Sequence, residues 1–177
     1  NLALYQSQVA TIDDQIERLI QTLKKQKQYN KTIIIITGTH GQSFNASDSD
    51  DNLINGSQVP MVLILPKEAP QVITRMTSHS DIVPTLMEEV FSVENTSSDY
   101  SIGKHLLDDT QRQYVLSGDL NDYIIYESEK ITKFSRNGNI DSIDWEGNHI
   151  EEAEYNKDYD ITLLIDVLTT LRRFNQK

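Results

Sequence analysis

The chain has 177 residues, enough for a domain with a real core, and it sets 16 Lys and Arg against 27 Asp and Glu for a formal net charge of -11. Such an acidic chain is repelled by phosphate backbones, so no nucleic acid is expected as a partner, and no polybasic stretch offers itself to anionic headgroups. There is no cysteine, which excludes disulfides and zinc–thiolate sites without fixing the compartment.

Leu2, Tyr5, Val9, Ile12, Ile16, Leu19, Ile20 and Leu23 recur at three- and four-residue spacing. This predicts an amphipathic helix that stops near Gln28 to Asn30. The chain opens inside that pattern with no signal peptide, which suggests a soluble piece of a longer protein. A short β-branched run, Thr32 to Ile36, follows at once and reads as a strand buried on both faces. Helix then strand across a short joint is half of a parallel crossover unit. The strand runs into Thr37-Gly38-Thr39-His40-Gly41, a turn at the end where open α/β sheets place their sites.

Gln42 to Gln58 is polar and rich in Asn, Ser and Asp, the composition of a mobile loop. Val59 to Leu65 is a second buried strand, closed by Pro66. Neither apolar run, Ile33 to Ile36 or Met61 to Leu65, approaches membrane-spanning length. Ser80 or Asp81 is placed to cap a helix with Pro84 in its first turn, running to Phe91 with Ile82, Leu86 and Val90 on one side. After Tyr100 the pattern shortens. Gln113 to Ser117, Asp122 to Glu127, Lys130 to Arg136 and Ile140 to Trp145 read as strands of a small antiparallel sheet. Asn137-Gly138 is its strongest hairpin signal. A last helix, Asp160 to Phe174, puts Ile161, Leu164, Ile165, Leu168 and Leu171 on one face.

The order of these pieces resembles the C-terminal half of the sulfatase-like branch of the alkaline phosphatase superfamily. The resemblance rests on Asn30-Lys31-Thr32-Ile33-Ile34-Ile35, the His40-Gly41 turn, Val59-Pro60 before an apolar strand, and Ser78-His79-x-Asp81-Ile82-x-Pro84-Thr85-Leu86. Phe44-Asn45, Ser98-Asp99-Tyr100-Ser101-x-Gly103 and the ending Leu168-Thr169 with Arg173-Phe174 narrow it to inner-membrane proteins that carry a periplasmic domain of this kind. The resemblance covers essentially the whole chain. It implies an α/β class, the C-terminal part of an α/β/α sandwich, with residues 1–100 as the α/β core portion. Residues 101–177 would add the small antiparallel sheet and the C-terminal helix. It also implies partners: the N-terminal half of the parent domain with its membrane helices, lipopolysaccharide or lipid A, and envelope regulatory proteins. The location implied is the periplasmic side of the bacterial inner membrane.

In active members of this family the turn after the strand reads Asp-His-Gly, and both side chains bind a divalent metal. Here Thr39 stands in place of the Asp, and a neutral hydroxyl cannot offset a metal's charge as a carboxylate does. Ser57 stands where the loop's own His is expected, and Gln42 where an acid follows His-Gly. Three departures on one site argue for lost metal chemistry, so no catalytic, cofactor-binding or metal-binding residue is assigned. Thr39 and His40 are read as vestigial ligand positions, with no cofactor expected.

The remaining polar residues have ordinary readings. His40 is a hydrogen-bonded turn residue, His79 supports the start of its helix, and His105 and His149 sit among polar neighbours as surface residues. Thr39, Ser43 and His40 lack an orienting acid for nucleophilic catalysis. Asp48 to Asp51 and Glu151-Glu152-Glu154 have no EF-hand pattern and read as solvated loops. The expected function is a non-catalytic periplasmic domain in lipopolysaccharide and outer-membrane lipid homeostasis. The alternatives are part of a metal-dependent sulfatase or phospho-ester hydrolase whose N-terminal half carries the nucleophile, and a general envelope interaction module.

Overall fold

The computed structural model describes the chain except for residues 1, 45–52, 67, 110, 119–120, 152–155 and 176–177. It divides into two compact units, Asn1–Gln71 and Val72–Lys177. Both mix helix with antiparallel strand, and a long helix closes the chain.

The first unit opens with α1, Leu2–Lys25. The helix ends where Lys27 takes a positive φ of 56° and the Gln28 amide reaches back to the Leu23 carbonyl at 2.8 Å. This Schellman closure consumes a carbonyl that the helix would leave unpaired. The apolar stripe forms as expected but is uncovered within the described residues, with Ile12 55% and Leu19 52% exposed. Tyr5 meets Phe44 edge to face at 5.2 Å between ring centroids.

Strands β1 (Ile34–Thr37) and β2 (Met61–Ile64) follow, and they pair antiparallel with Ile34 opposite Ile64 and Thr37 opposite Met61. Two expectations need correction here. The strand after α1 finds an antiparallel neighbour, and among the described residues no parallel strand pairs with it. Nor is β1 buried on both faces: Ile34 is 8% exposed, but Ile35, pointing the other way, is 37% exposed.

In the second unit, His79–Asp81 forms a single 3₁₀ turn that leads directly into α2, Ile82–Glu89. Neither Ser80 nor Asp81 caps by side chain in the way expected. Ser78 does, accepting from the Ser80 amide at 3.1 Å, while the Ser78 amide donates to Asp81 Oδ2 at 2.8 Å, completing a capping box one turn early. The helix buries Pro84 and Thr85, and Val90, expected on the inner face, lies beyond its end and is 40% exposed.

Four strands then form an antiparallel meander, β3 (Val115–Gly118), β4 (Asp122–Tyr126), β5 (Ile131–Ser135) and β6 (Ile140–Ile143), in sequential order. Asn137-Gly138 makes the β5–β6 turn, with Gly138 at φ 90° and its amide on the Ser135 carbonyl at 2.8 Å. Ile125 and Phe134 share one sheet face and pack with Val167, Leu163 and Leu164 of α3, Lys157–Asn175. The opposite face carries Ile131 and Ile143, at 0% and 1% exposure. The buried stripe of α3 is turned from the expected one. Val167 and Asp160 are buried, whereas Ile161 and Ile165 are 38% and 57% exposed. Asp160 causes the turn, because its carboxylate is taken inward by Lys130 Nζ at 2.5 Å.

Candidate functional site

The turn singled out in the sequence leaves β1 as Gly38-Thr39-His40-Gly41, and the structure folds the far end of the polar loop against it. The Gly41 amide donates to the Gly56 carbonyl at 2.8 Å. A Cβ at Gly41 would overlap the carbonyl oxygens of Asn55 and Gln58. Only glycine permits that approach. The two segments that hold metal ligands in active members of the resembled family are therefore brought together here, with the substituted residues in both. Thr39 and His40 are exposed. His40 Nδ1 lies 2.8 Å from the carbonyl of Gly41. A carbonyl accepts only, so Nδ1 is the donor in this contact.

One imidazole nitrogen does not make a metal site. Thr39 offers a neutral hydroxyl where a formal charge is needed, and Ser57 offers another on the returning loop. Among the described residues, no three His, Asp or Glu side chains converge on a common point. Among the described residues of the turn and the returning segment, one imidazole and two neutral hydroxyls are a poor donor set for a divalent catalytic metal. Asp48 to Asp51 lie outside the described residues, as do Glu152 and Glu154 of the second acidic group.

The other histidines divide. His79 is exposed in the 3₁₀ turn before α2, and His149 is exposed, 3.2 Å from Asp141 Oδ1. His105 is no surface residue: it is 6% exposed. Its Nδ1 accepts from the Leu107 amide at 3.2 Å, which leaves the proton on Nε2, 3.1 Å from Glu89 Oε1 and 3.8 Å from Glu88 Oε2. The polar sequence neighbours that suggested exposure are not what encloses it; Glu88 and Glu89 come from α2.

Sequence reading also missed a buried polar node. Asp81, 1% exposed, accepts from the Ser78 and Lys104 amides, both at 2.8 Å, and from Arg112. Thr85 extends it, donating to the Asp81 carbonyl at 2.6 Å and accepting from the Leu106 amide at 2.8 Å. Gly103 lies so close that a Cβ there would overlap the Ser80 carbonyl. The node welds the start of α2 to the segment 103–112. The Ser78-x-x-Asp81 spacing was its one sequence signal, and nothing marked Arg112 as the partner. A second charged group ties α3 to the β4–β5 turn. Lys130 sits between Asp160 and Glu127, 3.7 Å from Glu127 Oε2. Burial pushes the Glu127 carboxyl up, against the Lys130 ammonium, which pulls it down.

The chain is 27% identical over 172 residues, 96% of its length, to the inner membrane protein YejM of Salmonella typhimurium, and equally to that of Salmonella typhi. An uncharacterized protein of Haemophilus influenzae is 28% identical over 153 residues, 84% of this chain. The chain spans 29% of the YejM proteins and 24% of the Haemophilus one, under a third of each. The sulfatase family model matches residues 1–90, which contain α1, both strands of the first unit, the Thr39-His40 turn and the capped start of α2; the chain belongs to the sulfatase family.

Proposed function

We propose that this chain is a non-catalytic, periplasmic sulfatase-fold module of an inner-membrane protein, acting in lipopolysaccharide and outer-membrane lipid homeostasis. The observation that carries the non-catalytic half is Thr39 beside His40, with Ser57 on the loop that Gly41 holds against the turn. Hydrolysis of a sulfate or phosphate ester on this fold needs a cation to balance charge on the transferred group, and this pair of segments supplies no carboxylate for one. The envelope half is supported by the likeness to inner membrane proteins over nearly the whole chain. The lipid role comes from the family resemblance, since fold alone does not assign function. Lipopolysaccharide or lipid A and envelope regulatory proteins are the partners proposed with it.

The test uses the full-length protein in its own cell. Purified protein should turn over neither 4-nitrophenyl sulfate nor 4-nitrophenyl phosphate with zinc, manganese, magnesium or calcium supplied. Cells carrying His40→Ala should keep normal lipopolysaccharide levels, while deletion of the gene disturbs them. Ester turnover abolished by His40→Ala would favour a working hydrolase. Deletion without any change in lipopolysaccharide would remove the lipid role and leave the fold assignment standing.

A further inference from the structure

The second unit carries an open cleft of about 390 Å³, at the small end of the range for small-molecule sites, about 300–1,000 Å³. Val167 and Leu171, one turn apart on α3, give it an apolar wall. Much of the remaining lining is polar but uncharged: Ser78, Ser80 and Ser98 bring hydroxyls, and Gln111 and Gln113 bring amides.

Arg112 also borders the cleft, and it is held there with donors to spare. Its side chain is 8% exposed, and among the described residues its one bond runs from Nη2 to Asp81. A guanidinium carries five N–H donors in a fixed fork. Among the described residues, no Arg112 nitrogen is sealed away without a partner, so the unspent donors open onto the cleft. They fit a ligand rich in acceptor oxygens.

The charges around the cleft cancel. Asp81 balances Arg112. The exposed Lys104 ammonium is offset by Asp166, which acts on Tyr114 in the same lining. Burial raises the Tyr114 phenol above its ordinary value, the Asp166 carboxylate raises it further, and the Arg112 guanidinium opposes both. An anionic ligand finds no surplus of positive charge here, and a cationic one no surplus of negative charge. A ligand that matches must be uncharged, with oxygens for the Arg112 fork, hydroxyls for the glutamine and serine side chains, and a C–H face for Val167 and Leu171.

We propose that this cleft binds a neutral pyranose sugar. Ring hydroxyls take the Arg112 donors and exchange hydrogen bonds with Gln111 and Gln113, which both give and accept. The C–H face of the ring lies on the apolar wall. This inference stands apart from the metal site and from the lipid role.

The test takes the full-length protein and the methyl glycosides of glucose, galactose, mannose and N-acetylglucosamine. Saturation-transfer NMR should show binding of at least one, and that sugar should slow amide exchange in residues 111–116. Gln113→Ala, an exposed change that spares the fold, should weaken that binding about tenfold, the worth of one or two hydrogen bonds. Arg112→Lys keeps a cation beside Asp81 but loses the fork, and should weaken it at least as much. Glucose 1-phosphate and glucuronate should bind more weakly than the methyl glucoside. No binding of any neutral glycoside, protection confined to other segments, tighter binding of the charged analogues, or affinity indifferent to Gln113→Ala and Arg112→Lys would overturn the proposal.

Discussion

Truncating Asp81 to alanine should be among the most damaging single changes in the second unit. The Asp81 side chain is 2% exposed and its partner Arg112 8% exposed, so both charges are held out of water. Removing the carboxylate strands the guanidinium and leaves the Ser78 and Lys104 amides without their acceptor. Breaking a buried pair from one side costs about 3–5 kcal/mol, mostly because the surviving charge stays buried. Against a typical domain stability of about 5–15 kcal/mol, that is a large share. Arg112→Met should cost less, about 1–3 kcal/mol, since the carboxylate keeps two backbone donors. The double variant Asp81→Ala with Arg112→Met should be more stable than the sum of the two single losses allows. Trp145, the chain's single tryptophan, reports this unit, for it packs on Tyr126 and donates to the Glu127 carbonyl at 3.1 Å. Its fluorescence through a urea titration gives each free energy. A loss below about 1 kcal/mol for Asp81→Ala would refute the reasoning, because it would mean that the pair is solvated.

Three further outcomes follow from the packing. Ile34→Ala should cost about 2–4 kcal/mol in the first unit, and Ile35→Ala clearly less, because only Ile34 is enclosed; paired denaturation curves followed by circular dichroism decide it. Gly41→Ala should cost about 1–3 kcal/mol and displace the 55–58 backbone, seen as amide shifts there, since its Cβ would overlap two carbonyl oxygens. The Glu127 carboxyl is raised above its ordinary 4.5 chiefly by burial, so the folded unit holds that proton to higher pH than the unfolded chain. Its contribution to stability is full below the unfolded value and is lost as pH rises through the raised one. Glu127→Gln should flatten that part of the stability–pH profile, and an unchanged slope would show that another group sets it.

The four-strand meander was legible because short runs holding Val, Ile, Thr, Tyr or Phe lie between turn residues, Gly118 and Asn137-Gly138 among them. Its core partner was harder to read. Helix α3 has apolar residues on more than one side, and the choice of Val167 over Ile165 depends on Lys130 drawing Asp160 inward from a turn 30 residues away. For β1, four isoleucines in a row cannot distinguish burial on one face from burial on two, because both alternating faces are apolar. His105 was misread since Lys104 and Asp108 flank it, yet the residues that enclose it, Glu88 and Glu89, come from α2. The Thr39-His40 turn was visible at once, because a substitution inside a short ordered motif shows without coordinates. That Gly41 binds the returning loop against it could be known only from the fold. The Asp81–Arg112 pair likewise joins residues with no local spacing rule between them.

The metal content of the full-length protein bears most directly on the central claim. The protein should be equilibrated with zinc, manganese, magnesium and calcium, desalted, and submitted to elemental analysis beside its His40→Ala and Thr39→Asp variants. Loss of the charged ligand at Thr39 predicts far less than one equivalent of any metal in the parent. His40→Ala should change nothing, and Thr39→Asp alone should not restore a full equivalent, because Ser57 still stands on the returning loop. One tightly held equivalent of zinc or manganese that disappears with His40→Ala would contradict the account and return the turn to service as a working metal site.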